Sequence, residues 1–382
     1  MSDVAKKKVL IVAGEASGDL HGANLVRAML ALDPGLDFYG IGGPKMEAAG
    51  VRCLARAADM AVVGLTEVFA KLGLILETMG RLKRSLQEEE PALAILIDYP
   101  DFNMPLAKAA KKRGVKVFYY ISPQVWAWRR GRIARLRELV DRMAVILPFE
   151  AEMYHREGVE AVFVGHPLLD AVQIKYERPE ALRRFKLREG ETIIGLLPGS
   201  RPSEVVKLLP EMLRAAVLIR RELPAAQFVL PIADTLDRHD VDEMVRPYDS
   251  ELAVRIVGNE IYDVLAVCDA ALVASGTATL EAALIGVPMI IVYKISFFTY
   301  LMGRLFVKVS HIGLANIIAG KTVVPELVQQ DVNPPRLARE LLAILTEEGR
   351  KDLIKQELAG IREKLGTPGA SRRAARLAME ML

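Results

Sequence analysis

Cysteine is almost missing from this 382-residue chain: Cys53 and Cys268 are the only two, far apart in sequence. Two distant thiols build neither a disulfide scaffold nor a cysteine-rich metal site, and they fit a reducing, cytosolic compartment. Long apolar runs are missing too. No uncharged stretch reaches the roughly 18–20 residues that a membrane span needs. The lysines of MSDVAKKKVLIVAGEASGD lead only into a brief apolar stretch, residues 9–13, too short for a secretory leader before Gly14 and Glu15 interrupt it. Excess charge is also lacking. A formal net charge of +3 does not by itself argue for a nucleic-acid partner. There is no G-x-x-x-x-G-K-[ST], which excludes a P-loop NTPase, no low-complexity segment, and no repeat at a 20–50-residue period.

What is present is globular. Hydrophobic residues make up 52% and charged residues 26% of a chain long enough for two domains of ordinary size. Short apolar runs alternate with helical patterns, the signature of parallel α/β architecture. VLIVAG (9–14), DFYGIGG (37–43), LAILID (93–98), VKVFYYIS (115–122) and MAVILPF (143–149) read as strands of a first domain, residues 1–170. The charged stretch 169–191 reads as a connector. TIIGLLPGS (192–200), QFVLPIA (227–233), AALVAS (270–275) and VPMIIVY (287–293) restart the pattern in a second domain, residues 171–365. The architecture expected is two doubly wound, Rossmann-like parallel sheets facing across a cleft. The tail from Gly366 opens Gly-Thr-Pro-Gly and turns helical, a segment (366–382) able to pack on the first domain of its own chain or of a partner in a homodimer.

Ligands of such sheets bind beyond the carboxyl ends of the strands. In AGEASGDLHGANL (13–25) small residues follow a strand and open a helix, with Gly14, Gly18 and Gly22 spaced by four, unlike a dinucleotide G-x-G-x-x-G. Glu15 and Asp19 would repel phosphate there, so the turn suits sugar hydroxyls, with Gly14 and Ser17 beside the acceptor. Two turns suit diphosphate better. In LLPGSRPSEV (196–205) Gly199, Ser200 and Arg201 put a guanidinium beside a helix start. In VASGTATLEAALIGVP (273–288) Ser275, Gly276 and Thr277 end a strand, and Glu281 stands on the first helical turns, placed to accept from a ribose diol.

The stretch AILIDYPDFNMPLA (94–107) ends a strand in two aspartates around Pro100, which keeps Tyr99 out of helical space. The turn aims Asp98, Asp101 and Asn103 into or beside the cleft. Asp101 also suits the cap of the next helix, which leaves Asp98 as the favoured general base for an attacking hydroxyl. His21, at the glycine-rich turn, and Asp101 are its rivals. His166, in VGHPLLD, ties a loop near the connector. The aspartate spacing does not fit a metal clamp and no His/Cys/Asp cluster replaces it, so no metal and no cofactor are expected.

Both tryptophans lie in SPQVWAWRRGRIARLRELVDR (122–142) with five arginines close behind, among them Trp126 and Arg129. That composition suits an anionic membrane surface or a single strand of nucleic acid. FFTYLMGRLFVKVSHIGL (297–314) is a second apolar and basic patch. The apolar period through Leu65, Val68, Phe69, Leu72, Ile75, Leu76 and Met79 reads as a core helix, with a membrane-facing role as the other reading. A lipidic second substrate accounts for both patches.

These residues resemble the lipid-A-disaccharide synthases, inverting glycosyltransferases of the GT-B fold. The resemblance rests on VAGEASGD (12–19), GIGGPKM (40–46), GLTEV (64–68), DYPDFN (98–103), SPQVWAWRRGR (122–132), LPFE (147–150), VGHPL (164–168), LLPGSR (196–201), ASGTATLE (274–281) and LANIIAGK (314–321). It implies transfer from UDP-2,3-diacylglucosamine to 2,3-diacylglucosamine 1-phosphate, giving a β-1,6-linked disaccharide and UDP without a nucleic-acid partner. It also implies residence on the cytoplasmic face of the inner membrane. Carried over by position, Asp98 is the base, Glu15, Arg201 and Asn316 are tied to activity, and Ser275–Thr277 with Glu281 hold UDP. The rival functions are a UDP-sugar 2-epimerase and a non-catalytic nucleotide-sugar or RNA-binding protein.

Overall fold

The structure, a computed structural model, describes residues 6–60, 65–123, 131–258, 260–295 and 311–382, without the side chains of Ala16 and of residues 65–71. The chain forms two units. Met1–Asp170 and Leu365–Leu382 make the first, and Ala171–Lys364 make the second.

The first unit carries a seven-stranded sheet of β1 (Lys7–Ala13), β2 (Leu36–Gly42), β3 (Arg52–Arg56), β4 (Leu93–Ile97), β5 (Lys116–Tyr120), β6 (Arg142–Val145) and β7 (Ala161–Phe163). Every pairing is parallel, in the order β3-β2-β1-β4-β5-β6-β7. Helices cover both faces, which is why the central strands are apolar throughout rather than alternating. Val9–Val12 and Leu93–Leu96 are fully buried and in register, Ile11 opposite Ile95 and Val12 opposite Leu96. Each such side chain contributes about 1.5–3 kcal/mol by leaving water.

The second unit repeats the plan with β8 (Ile193–Leu197), β9 (Gln227–Ile232), β10 (Val254–Gly258), β11 (Ala270–Ala274), β12 (Met289–Tyr293) and β13 (Glu326–Val328), all parallel, in the order β10-β9-β8-β11-β12-β13. In each sheet the strand order reverses beside the first strand, between β1 and β4 and between β8 and β11. That reversal opens a crevice at the carboxyl ends, where ligands of doubly wound sheets bind.

Two readings of the sequence need correction. The stretch 169–191 is more than a connector: it contains the helix Arg178–Phe185, whose Ala181, Leu182 and Phe185 are buried. The helix Leu65–Glu88 is only partly a core helix. Ile75 and Met79 pack on the core, while Leu72, Leu74 and Leu76 are 42%, 42% and 62% exposed. Among the described residues no helix is long and apolar enough to cross a membrane.

The last helix, Ala370–Met379, packs on the first unit, where Ala374, Ala375 and Ala378 join the core beside Ala23 and Val26 of the helix Ala16–Leu30. Asp170 caps it, accepting from the N–H groups of Gly369 at 2.6 Å and Ala370 at 3.2 Å. Arg373 fastens it further by donating to the carbonyl of Val164 at 2.8 Å.

Candidate active site

In the first unit the turns after β1 and β4 lie side by side at the switch point. The β4 turn is strained: Asp98 and Tyr99 both take left-handed backbone, with φ of 44° and 46°. Such residues cost of order 1–3 kcal/mol each and persist only where their surroundings hold them. Here they do. The Asp98 N–H donates to the carbonyls of Tyr120 and Ile121, each at 3.2 Å. The Asp98 carbonyl accepts from Asn103 Nδ2 at 2.7 Å and from the Tyr119 hydroxyl. Pro100 then starts the helix Pro100–Lys111 with its ring at the first turn, where no N–H is missed.

The pinned backbone leaves the Asp98 carboxyl pointing outward. It reaches solvent, yet it stands in a recess crowded by protein atoms, with the Glu15 carboxylate nearby. Crowding first, and the like charge second, push its pKa up to about 6. A carboxylate so poised is ionised at neutral pH and basic enough to take a proton.

The neighbours divide into two groups. Glu15 and Ser17 are exposed, and Glu15, at the cap position of the helix Ala16–Leu30, makes no side-chain cap bond. Asp19 does not face a sugar site. It is buried and accepts from the N–H groups of Gly43, Lys45 and Met46 at 2.7, 3.1 and 3.0 Å. Gly14 is buried against the ring of Tyr99, and Gly18 and Gly22 let their helix lie close on Ala13, Met46 and Ile97. Asp101 does not cap its helix, because Tyr99 holds that position. It is exposed and paired with Arg132. Asn103 is not aimed at a ligand either: it is fully buried and also donates to the Ile97 carbonyl at 3.1 Å. His21 is held neutral, its pKa lowered to about 4 by burial first and Lys45 second. Burial, with His21 beside it, lowers His166 to about 3.

In the second unit a cavity of about 490 Å³ opens at the carboxyl ends of β8 and β11. The sequence-predicted residues Gly199, Ser200, Arg201, Ser275, Gly276, Thr277 and Glu281 all line it. Two helices start at its wall, Pro202–Glu222 behind Arg201 and Thr277–Ile285 behind Gly276. Their positive ends and the guanidinium make the wall attractive to a diphosphate. Gly199 has φ of 111°, and a β-carbon there would stand 2.4 Å from Glu204 Oε2. Arg201 is 55% exposed and meets Glu204 at 3.3 Å, a surface pairing too weak to tie the guanidinium down. Glu281 accepts from the Tyr262 hydroxyl at 3.1 Å; burial raises its pKa and that bond opposes the rise. A wider recess of about 640 Å³ runs along the edge strand β10. It lies off the switch point, and two of its arginines are paired, Arg184 with Glu260 and Arg238 with Asp242.

Among the residues predicted in the second unit, Asn316 does not line the cavity at β8 and β11. It is fully buried; Nδ2 donates to the Val324 carbonyl and to Glu326, each at 2.8 Å, and Oδ1 accepts from the N–H groups of Val323 and Val324 at 2.8 and 3.1 Å. Its amide serves its own chain and has no hydrogen left for a substrate. Trp126, Arg129, the GLTEV glycine Gly64 and most of the patch 297–314 lie outside the described residues. Tyr119, which with Asn103 holds Asp98, and Tyr262, which orients Glu281, carried no mark in the sequence. Among the described residues no three His, Cys, Asp or Glu side chains gather as a metal site requires.

Solved structures share this architecture at low identity. A putative UDP-N-acetylglucosamine 2-epimerase from Listeria monocytogenes superposes with a TM-score of 0.63 at 15% identity, over 97% of this chain and 94% of its own. MurG of Acinetobacter baumannii gives 0.61 at 16%, over 98% and 99%. At such identities the likeness is one of fold, which epimerases and glycosyltransferases have in common. Sequence separates them. The lipid-A-disaccharide synthase of Syntrophus aciditrophicus is 57% identical over 376 residues, 98% of either chain. A model of the lipid-A-disaccharide synthetase family matches residues 9–381. The chain belongs to the lipid-A-disaccharide synthase family of glycosyltransferases, and the epimerase reading is not favoured.

Proposed function

We propose that the second unit's cavity holds the UDP of UDP-2,3-diacylglucosamine and that Asp98 of the first unit takes the proton of the acceptor's 6-hydroxyl. The observation that carries this reading is Asp98 itself: an outward carboxyl on a strained, doubly pinned turn, with its pKa raised to about 6. The acceptor is 2,3-diacylglucosamine 1-phosphate. Its 6-oxygen attacks the anomeric carbon opposite the diphosphate, the bond to UDP breaks, and the proton passes to Asp98. One displacement without a covalent sugar intermediate inverts the centre to β. The transition state has the oxocarbenium character common to glycosyl chemistry.

Arg201 and the two helix starts stabilise charge gathering on the departing diphosphate, while Glu281, oriented by Tyr262, accepts from the ribose diol. Glu15, beside Asp98, keeps the base poised and contacts acceptor hydroxyls together with Ser17. Asn316 acts as a positioning residue. Leu72, Leu74 and Leu76 offer an apolar surface for acyl chains or a bilayer, and the protein docks peripherally on anionic membrane.

The test is a UDP-release assay with the diacylated donor and acceptor. Wild type releases UDP only with both substrates, and Asp98→Asn loses about 10²–10⁴-fold in turnover while still binding UDP. Near-normal turnover in that variant transfers the role to Asp101 or His21. Flotation with vesicles containing phosphatidylglycerol, compared with neutral vesicles, tests the membrane reading.

A further inference from the structure

The strand β13 is three residues long, yet side chains at both its ends hold backbone elsewhere in the second unit. Glu326, its first residue, accepts from the Ile312 N–H on Oε2 at 2.8 Å, and from the Gly313 N–H and Asn316 Nδ2 on Oε1 at 3.1 and 2.8 Å. Gln329, just past its last residue and itself left-handed with φ of 55°, grips Ile295 twice. Its Oε1 accepts from the Ile295 N–H at 2.8 Å, and its Nε2 donates to the Ile295 carbonyl at 3.2 Å.

The held loop is also pressed against the sheet. A β-carbon on Gly313 would stand 2.2 Å from Ile291 Cδ1 on β12, so the loop backbone lies close on that strand. From the loop a link runs to the cavity, because Ser275 Oγ donates to the Ile312 carbonyl at 3.3 Å. The hydrogen bonds thus connect Asn316 to Glu326, Glu326 to Ile312, and Ile312 to Ser275 at the cavity wall.

Resting on the assignment of that cavity to UDP, we propose that Glu326 is a positioning residue for the donor site. Together with Asn316 it fixes the Ile312–Gly313 backbone, and through the Ile312 carbonyl it fixes the Ser275 side chain, while Gln329 holds the neighbouring strand end at Ile295. A carboxylate suits this post because it is acceptor-only and meets three N–H donors. Glutamine in its place turns an N–H toward donors.

Glu326→Gln, Asn316→Ala and their combination separate this role from simple stability. The readouts are UDP affinity by calorimetry, donor KM and kcat, and amide hydrogen exchange over residues 312–316. Glu326→Gln raises the UDP Kd and the donor KM about tenfold, leaves kcat within about twofold, and speeds exchange in that loop. The double variant is no worse than the poorer single one, as expected of one connected network. A lowered melting temperature with UDP Kd and donor KM unchanged overturns the proposal. If Glu326→Gln does not fold, amide exchange of the wild-type protein carries the test: slower exchange at Ile312 and Gly313 on adding UDP supports the proposal, and unchanged exchange there overturns it. A wild-type protein that does not bind UDP, or a Glu281→Ala variant that binds it as tightly as wild type, overturns the donor-cavity assignment instead.

Discussion

The ring of Tyr99 lies directly over the backbone of Gly14: a β-carbon on residue 14 would stand 2.3 Å from Tyr99 Cδ1 and 2.5 Å from Cγ. Those atoms are the root of the ring, not a flexible tip, and the ring is fixed at its far end by a 2.9 Å hydrogen bond from its hydroxyl to the Met60 carbonyl. Gly14→Ala therefore has to move Tyr99, and with it the left-handed pair that presents Asp98. The expected outcome is a loss of about 1–3 kcal/mol in chemical denaturation, as for other overpacked sites, and a drop in kcat larger than the drop in UDP affinity. Steady-state kinetics beside a urea melt check it.

Asp98 sets a pH dependence with two signs. For activity, the base must be ionised, so kcat/KM falls on an acid limb near pH 6, and Asp98→Asn removes that limb. His21 as base would instead place the limb near pH 4. For stability, the folded-state pKa lies above the unfolded value, so the contribution is fully present at low pH and is lost as pH rises through 6. Asp98→Asn is accordingly more stable than wild type at pH 7–8, and the gap narrows as the pH falls from 6 towards 4. Thermal melts across that range measure it.

Arg201 is expected to separate binding from stability. Its ion pair among the described residues is the exposed 3.3 Å contact with Glu204, so Arg201→Ala shifts the unfolding free energy by no more than about 0.5 kcal/mol. The same change removes the cavity's guanidinium and weakens UDP about tenfold or more. Calorimetry with UDP and with uridine tells whether the loss lies in the diphosphate.

Tyr262→Phe tests the ribose contact. The hydroxyl lowers a Glu281 pKa that burial raises, so its removal lets that pKa climb further. UDP affinity falls about tenfold at neutral pH, and the variant weakens with acidification from a higher pH than wild type does.

The strands that the sequence hid are the edges. β3, β7, β10 and β13 escaped because an edge strand is short and half-exposed, and Arg52-Cys53-Leu54-Ala55-Arg56 or Val254-Arg255-Ile256-Val257-Gly258 need not be continuously apolar as Leu93–Ile97 must be. The cavity residues were legible because a turn after a buried strand has few purposes, and Gly-Ser-Arg or Ser-Gly-Thr there narrows them. Asn103 and Asn316 show what one dimension conceals: a buried amide that fastens its own backbone and an amide that greets a ligand look the same there. Only the partners, Asp98 for the first and Glu326 with Val324 for the second, distinguish them.

The cap that Asp170 places on the helix Ala370–Met379 has a consequence for biosynthesis. The first unit is interrupted after Asp170 and resumes only at Leu365. During translation its first 170 residues emerge with the surface around Ala23 and Val26 still uncovered, and the covering piece is made after 194 further residues have been added. The second unit, being continuous, can reach its native state first, whereas the earlier-made one must wait, its core incomplete, for the helix Ala370–Met379 to leave the ribosome.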